Sequence, residues 1–291
     1  SPGIAVHHRD ELERIQQEFS KIEGCTVIIY EQTCAAEKRR RRKRGQLSTP
    51  AKRVVINEDV CEGCGDCSTQ SNCVSILPKE TPLGRKRQID QSSCNMDFSC
   101  AKGFCPSFVT VLGGTPKKPD KMHLDKSLFD SIPDVSLADS GDLDCGVMVS
   151  GIGGTGIITV TAVLGMAAHM EGKYCSIYDM TGLAQKNGAV YSHLRIVSSM
   201  DRLSSAKLGV GEVDLALGYD LVAASTTEAL KALRLGEAAF VGNSDVAPTA
   251  RFQQDASLSF SSQPLENAIS ERVGDKNSHF INATTIGNVL L

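Results

Sequence analysis

Tryptophan is absent, and aromatic residues make up only 5% of a chain that is 41% hydrophobic. Its cores must therefore be aliphatic and punctuated by glycine, a globular texture that excludes a fibrous or wholly disordered protein. A secretory signal is also missing, because Ser1 to Asp10 show no charged stretch followed by an apolar one. Nor is there an uninterrupted apolar span. Cys145 to Met170 holds no Asp, Glu, Lys or Arg, yet six glycines break it, four of them within Gly151–Gly156. A strand, a glycine turn and a helix account for that run better than a membrane crossing does.

At roughly 100–200 residues per domain, 291 residues allow two compact units with connectors. The chain starts without Met and stops at Asn288-Val289-Leu290-Leu291, inside what reads as a helix just begun. It is expected to be an internal segment of something longer. The net charge of −3 conceals an asymmetry: Lys38 to Arg44 are seven consecutive bases, and without them 24 bases face 34 acids, a balance of −10.

Leu12, Ile15, Phe19 and Ile22 recur at helical steps, which predicts a helix over 9–23, ended by Gly24. Cys25 to Tyr30 reads as a buried strand. This αβ pair is too small to fold well alone and looks like the end of a domain whose body lies upstream. A Cys-rich segment occupies roughly 52–112, and 113–143, with Gly113-Gly114 and three prolines, reads as a linker. From Cys145 the texture alternates. Strands are expected at Cys145–Ser150, Tyr174–Met180, Gly188–Ser198, Val213–Leu221 and Ala238–Asn243, with another beginning at Phe280–Ala283. Helices are expected at Ile157–Met170 and Thr227–Arg234. That order predicts an α/β domain with a mainly parallel sheet and a Rossmann-like start, beside a small α+β ferredoxin-like iron–sulfur domain.

Seven of the 11 cysteines fall between Cys61 and Cys105. An odd, clustered set argues against a secreted disulfide scaffold and for metal ligation in a reducing compartment, here the cytoplasm. Cys61, Cys64 and Cys67 form C-x2-C-x2-C, and Cys105 is followed by Pro106. Two-residue spacers let a tight loop wrap a small soft-metal cluster with its amides facing the sulfurs, as in bacterial ferredoxins. The second half is a degenerate copy, in which Cys94, Asp97 and Cys100 keep the rhythm with Asp97 at the middle position. Crossed ligation assigns a 4Fe-4S cluster to Cys61, Cys64, Cys67 and Cys105. A second cluster falls to Cys73, Cys94 and Cys100, with Asp97 or nothing at the last corner. A carboxylate is the harder ligand, so that iron is held more weakly and the cluster readily becomes three-iron. The competing reading is a structural zinc site, although zinc sites usually pair two C-x2-C knuckles. Cys25, Cys34, Cys145 and Cys175 are expected to be small buried hydrophobes.

Gly151-Ile-Gly153-Gly154-Thr-Gly156 follows a strand and opens a helix, and Asp179 closes the next strand 23 residues after Gly156. This has the outline of a dinucleotide fingerprint. Only the eight residues Thr181–Gly188 separate the second strand from the third, however, too few for the crossover helix a Rossmann unit needs. The loop remains suited to an anion at a helix N-terminus, with Lys186 and Asn187 in the same crevice. Glycines that merely allow strand and helix to pack closely are the alternative. The basic run is read as an intramolecular docking strip rather than a nucleic-acid patch. His193 is read as a hydrogen-bonded strand histidine, with a place facing the glycine-loop crevice as the alternative. His7, His8, His123, His169 and His279 form no constellation.

Three stretches together resemble the thiamine-diphosphate-dependent 2-oxoacid:ferredoxin oxidoreductases, and among them the fused indolepyruvate ferredoxin oxidoreductases. Val27 to Arg44 resembles the end of the family's thiamine-binding domain and Cys61 to Pro106 its ferredoxin domain. Gly151–Gly156 with Gln185-Lys-Asn-Gly-Ala-Val-Tyr-Ser-His193 resembles the start of its gamma-type catalytic domain. The implied division is 1–45, 46–112, a linker at 113–143, and a truncated gamma-type domain at 144–291. The resemblance implies oxidative decarboxylation of a 2-oxoacid, indolepyruvate or another arylpyruvate, to an acyl-CoA, with electrons passing through clusters to ferredoxin. It also implies thiamine diphosphate and Mg in the full enzyme, coenzyme A near the glycine loop, an upstream thiamine-binding domain as partner and a homo-oligomer. Nucleic acid and membrane are not expected partners. No G-D-G…N thiamine motif is present, so catalytic residues are not assigned and the segment alone is expected to be inactive. Two alternatives stay open: a ferredoxin-type carrier fused to an NAD-binding domain, and a zinc-containing nucleic-acid binder.

Overall fold

The computed structural model describes residues 4–117, 144–182, 188–248, 250–253, 255 and 257–290. The chain divides into two compact units, one of Ser1–Pro50 with Asn95–Asp97, the other of Ala51–Cys94 with Phe98–Leu291. Most of the expected linker, 118–143, lies outside the described residues.

In the first unit a single 3-10 turn at Arg9–Glu11 leads into helix α1, Leu12–Phe19. His8 and Glu11 close a reciprocal cap at its start. The expected helix is thus shorter than its apolar spacing suggested. The strand expected at Cys25–Tyr30 does not form: those residues are irregular and exposed, with Ile29 at 88%. A strand needs partners for its N–H and C=O groups, and among the described residues none pairs with it. Helix α2, Ala35–Lys43, carries the basic run. Glu37 holds Arg40 and Arg41 one turn on, and Arg42 donates to the Asn95 carbonyl at 2.7 Å.

The Cys-rich part of the second unit is built from two antiparallel pairs. Strand β1, Lys52–Ile56, will pair with a later strand, and helix α3, Asp66–Ser71, follows it. Strands β2, Ile76–Thr81, and β3, Gly84–Ile89, form a hairpin from Ile76↔Ile89 to Thr81↔Gly84. A 3-10 turn at Ser99–Ala101 precedes β4, Phe108–Leu112, which closes on β1 in register Lys52↔Leu112.

A six-stranded sheet follows. In chain order come β5, Asp144–Ile152; helix α4, Ile157–Met170; β6, Tyr174–Thr181; β7, Ala189–Val197; and β8, Leu215–Gly218. Helices α5, Leu221–Ala224, and α6, Thr227–Ala232, lead to β9, Ala239–Asn243. Helix α7, Gln263–Val273, β10, Ser278–Ile281, and helix α8, Ala283–Leu290, complete it. The spatial order is β10-β9-β8-β5-β7-β6. Strands β10, β9, β8 and β5 run parallel, while β7 is antiparallel to both β5 and β6. The fold is therefore mixed α/β with a mainly parallel sheet.

Alternation sorts the sheet's side chains between two cores. Val147, Val149, Leu194, Leu215 and Leu217 pack with Ile157 and Leu164 of α4 on one face. Met148, Ala216 and Phe240 pack with Leu221, Ala229, Ile269 and Val273 of α5–α7 on the other. The short connection between β6 and β7, 182–188, calls for no crossover helix, because β7 returns antiparallel beside β6. Two expected elements move. The strand expected at Val213–Leu221 is only Leu215–Gly218, because Tyr219 turns the chain so that Asp220 can cap α5. The last strand ends at Ile281, and Ala283 already begins α8. No described helix is long and apolar enough to cross a membrane.

Candidate functional site

The cysteine loop is shaped by two glycines with left-handed backbone. Gly63 has φ +74°, and a Cβ there would stand 2.4 Å from the Arg85 carbonyl oxygen, so the loop lies directly on β3. Gly65, φ +89°, starts α3. The result buries Cys61 and Cys67 and leaves Cys64 exposed. The Gly63 N–H donates to Cys61 Sγ at 3.4 Å, and Cys105 Sγ lies 3.0 Å from Ser107 Oγ. Cys67, Cys100 and Cys105 line one pocket with Asp66, Gly103 and Phe104. Burial is the main influence on Cys67 and pushes its thiol up, opposed by Ser68 and Arg87. Cys73 and Cys94 are half-buried. Asp97 is exposed between Met96 and Phe98, both at positive φ, in the short stretch that groups with the first unit.

Among the described residues no three His, Cys, Asp or Glu side chains stand close enough to hold one metal ion. A cubane asks for something different, since its ligands reach separate corners. The residues fit such a group on three observations: soft sulfur donors, an amide already aimed at a sulfur, and a buried thiol whose proton a bound cation would displace. Cys25 and Cys34 correct the expectation of buried small hydrophobes, for both are exposed. Cys34 precedes α2, and backbone N–H groups of Glu37 and Ala36 hold its thiol below the usual range. Cys145 and Cys175 are half-buried in the sheet.

Arg87 was not legible in the sequence. Its residue is 2% exposed, and its guanidinium lies 3.9 Å over the Phe252 ring. Arg85, two residues earlier and so on the same strand face, donates to the Leu258 carbonyl at 2.7 Å and stands over Phe260. Arginine in a hairpin carries no spacing signal, and the aromatic partners come from over 160 residues away in sequence.

The glycine loop sits where β5 gives way to α4. Its neighbour β8 feeds α5 on the opposite face, so the crevice beyond their carboxyl ends is a switch point of the kind that receives ligands in open α/β sheets. Gly151 is packed tightly: a Cβ would meet Ile157 Cδ1 at 2.6 Å and Tyr219 Cβ at 3.0 Å. Gly154 and Gly156 have φ +94° and +87°. Gly153 donates its N–H to the Gly188 carbonyl at 2.8 Å, and a Cβ on it would find only ordinary contacts. Residues 153–156 are exposed and carry no side chain larger than threonine. Asp179 does not take the ribose-binding place of a dinucleotide fold. It lies on edge strand β6, separated from β5 by β7, and accepts a hydrogen bond from the Ser192 hydroxyl. Lys186 and Asn187 lie outside the described residues. His193 pairs with Met148 in mid-sheet, away from the loop, with its ring edge-on to Tyr178. Its Nδ1 has no hydrogen-bond partner among the described residues, and burial lowers its pKa.

Residues 146–290 match the family model of pyruvate ferredoxin/flavodoxin oxidoreductase. Three solved structures are similar to the chain. A pyruvate oxidoreductase subunit from Thermotoga maritima is 16% identical over 50% of this chain and 65% of its own, with a TM-score of 0.33. The gamma subunit of a keto/oxoacid ferredoxin oxidoreductase from Geobacter sulfurreducens is 22% identical over 36% and 53%, at 0.26. A 2-oxoglutarate:ferredoxin oxidoreductase from Magnetococcus marinus, with 2-oxoglutarate, coenzyme A and succinyl-CoA bound, is 18% identical over 46% and 27%, at 0.30. The chain thus spans less than two thirds of each. No curated protein matches it.

Proposed function

We propose that the chain is the electron-transfer and gamma-type portion of a 2-oxoacid:ferredoxin oxidoreductase, in which the whole enzyme converts a 2-oxoacid and coenzyme A to an acyl-CoA and reduces ferredoxin. The observation that carries this reading is order: a ferredoxin-type cysteine segment precedes, across one linker, residues matching the pyruvate ferredoxin/flavodoxin oxidoreductase family. Arylpyruvate, and indolepyruvate in particular, is the finer substrate reading and rests on the three-stretch resemblance. The domains we assign are 1–45, 46–112 and 144–291, with a cytoplasmic setting, a homo-oligomeric whole enzyme and an upstream thiamine-binding domain.

Cys61, Cys64, Cys67 and Cys105 hold the first iron–sulfur cluster in this proposal, and Cys73, Cys94 and Cys100 with Asp97 the second. When bound, such clusters accept and pass single electrons. The chain's own residues bind and shield. The Gly63 amide donates to Cys61 sulfur, the Gly63 turn presses the loop onto β3, and exposed Cys64 leaves one edge open for exit to ferredoxin. In the α/β part, the bare backbone of Gly154 and Gly156 offers N–H groups at the start of α4 to the phosphates of coenzyme A, while Gly153 and Thr155 spend theirs on Gly188 and Ile152.

Anaerobic reconstitution with iron and sulfide, followed by a visible spectrum and a metal assay, tests the reading. A brown, iron-loaded protein that NADH does not reduce is expected, with no turnover of thiamine diphosphate, indolepyruvate and coenzyme A by the segment alone. A colourless zinc protein that binds DNA in a salt-sensitive way would refute it.

A further inference from the structure

Arg87 is a buried cation with an unmet demand. Among the described residues its Nε and Nη1 have no hydrogen-bond partner, and a guanidinium cannot discharge itself by losing a proton. Burial is the main influence on it and pushes its pKa down, opposed by Cys67, Cys61 and Cys64 of the cysteine loop. Its Nη2 stands 3.2 Å from the place a Cβ would take on Gly65, which sets the fork against the loop that joins Cys64 to Cys67. The opposite side is closed by the ring of Phe252, itself 1% exposed and tilted against Phe260 at 5.7 Å. A buried charge left without a counter-charge is strongly unfavourable. The Gly65 contact places it against the C-x2-C-x2-C loop that carries those three thiols.

Resting on the cluster reading given above, we propose that Arg87 is a positioning and potential-setting residue for the cluster on Cys61, Cys64 and Cys67. Its guanidinium supplies a fixed counter-charge beside the cysteine loop, and the ring of Phe252 from the α/β part shields it from water. The four thiolates of a loaded cluster outweigh the charge of its core, so the cluster is an anion that gains a further negative charge when one electron enters. A desolvated cation beside it stabilises the reduced form more than the oxidised one and raises the reduction potential. The ring from the α/β part thereby acts on the electron affinity of a cluster held by the cysteine segment.

The test is an EPR-monitored redox titration of the reconstituted chain, comparing Arg87→Gln, Arg87→Met and Arg87→Lys with the unchanged protein, with iron content measured for each. The Gln and Met variants are expected to lower the midpoint by at least 59 mV, a tenfold change in the ratio of reduced to oxidised cluster for one electron. The Lys variant is expected to keep most of the native potential. Unmoved midpoints in Gln and Met overturn the proposal, and so does a Lys variant that falls as far as Gln. If Gln and Met take up no cluster, the Lys variant decides: native loading and midpoint support a role for the charge, whereas loss of the cluster overturns it. A native chain that takes up no cluster sinks the underlying reading as well. A loaded native chain with unmoved variants sinks the Arg87 proposal alone.

Discussion

Replacing Gly151 and Gly153 in turn by alanine separates what the glycine loop does for packing from what it does for a ligand. At Gly151 the added methyl would lie 2.6 Å from Ile157 Cδ1 and 3.0 Å from Tyr219 Cβ. The first contact is the far end of a side chain and can yield. The second is close to backbone that also leads into the Asp220 cap, and it cannot yield freely. Overpacking of this kind costs about 1–3 kcal/mol, or roughly 2–12 °C in Tm at this size. At Gly153 the nearest atoms are 3.5 Å and 3.8 Å away and the backbone is not left-handed, so the change stays within about 0.5 kcal/mol. Gly156→Ala is the internal standard: nothing lies within 4 Å of its Cβ, and its cost is the left-handed backbone alone, about 1–2 kcal/mol. Urea unfolding followed by far-ultraviolet circular dichroism reads these as shifts in midpoint at unchanged slope. Gly153→Ala, stable but with a methyl on the exposed backbone, should weaken coenzyme A binding in a titration calorimeter. A Gly151→Ala protein as stable as the parent, or a Gly153→Ala protein less stable than Gly151→Ala, would refute the packing argument.

Two further outcomes follow from single side chains. Asp97→Cys should yield a stable second four-iron cluster, whereas the parent and Asp97→Ala lose one iron on mild oxidation; iron assay and EPR check this, and identical spectra for all three remove Asp97 from the ligand set. Asp220 is buried at the N-cap of α5, where it accepts from the Ala223 N–H at 2.8 Å, and burial raises its carboxyl above 3.8. Its proton is therefore held more tightly in the fold than in the unfolded chain. The associated stability is complete below the unfolded value and is lost as pH rises through the raised folded one. Asp220→Asn keeps a capping oxygen and should abolish that slope between the two values; equal pH profiles of urea midpoints for both proteins would count against the assignment.

The alternation of strands and helices from Cys145 onward was readable because each segment's own apolar period matches the face it buries. Ile157–Met170, Tyr174–Met180 and Ala238–Asn243 appear within a residue of their expected bounds. The first unit misled, because Cys25–Tyr30 has the composition of a buried strand. Composition cannot supply the neighbouring strand that its backbone would need. The glycine pattern misled differently. Gly151 to Gly156 and Asp179 have dinucleotide spacing, but spacing runs along the chain, and it does not say that β7 is inserted between the loop's strand and the acid's.

Residue order alone was enough to establish the cysteine rhythm with Asp97 in its gap, the glycine-opened helix and the sequence of segments that the family match accompanies. These are local properties, written in spacers of two to four residues and in the turns those spacers allow. The folded chain was needed to bring Phe252 and Phe260 against Arg87 and Arg85, to place Asp179 one strand too far for a ribose, and to bury Cys67 while exposing Cys64. Each of these depends on contacts between residues remote in the chain. Such contacts are selected by the shared burial of apolar faces, which no short window of sequence contains.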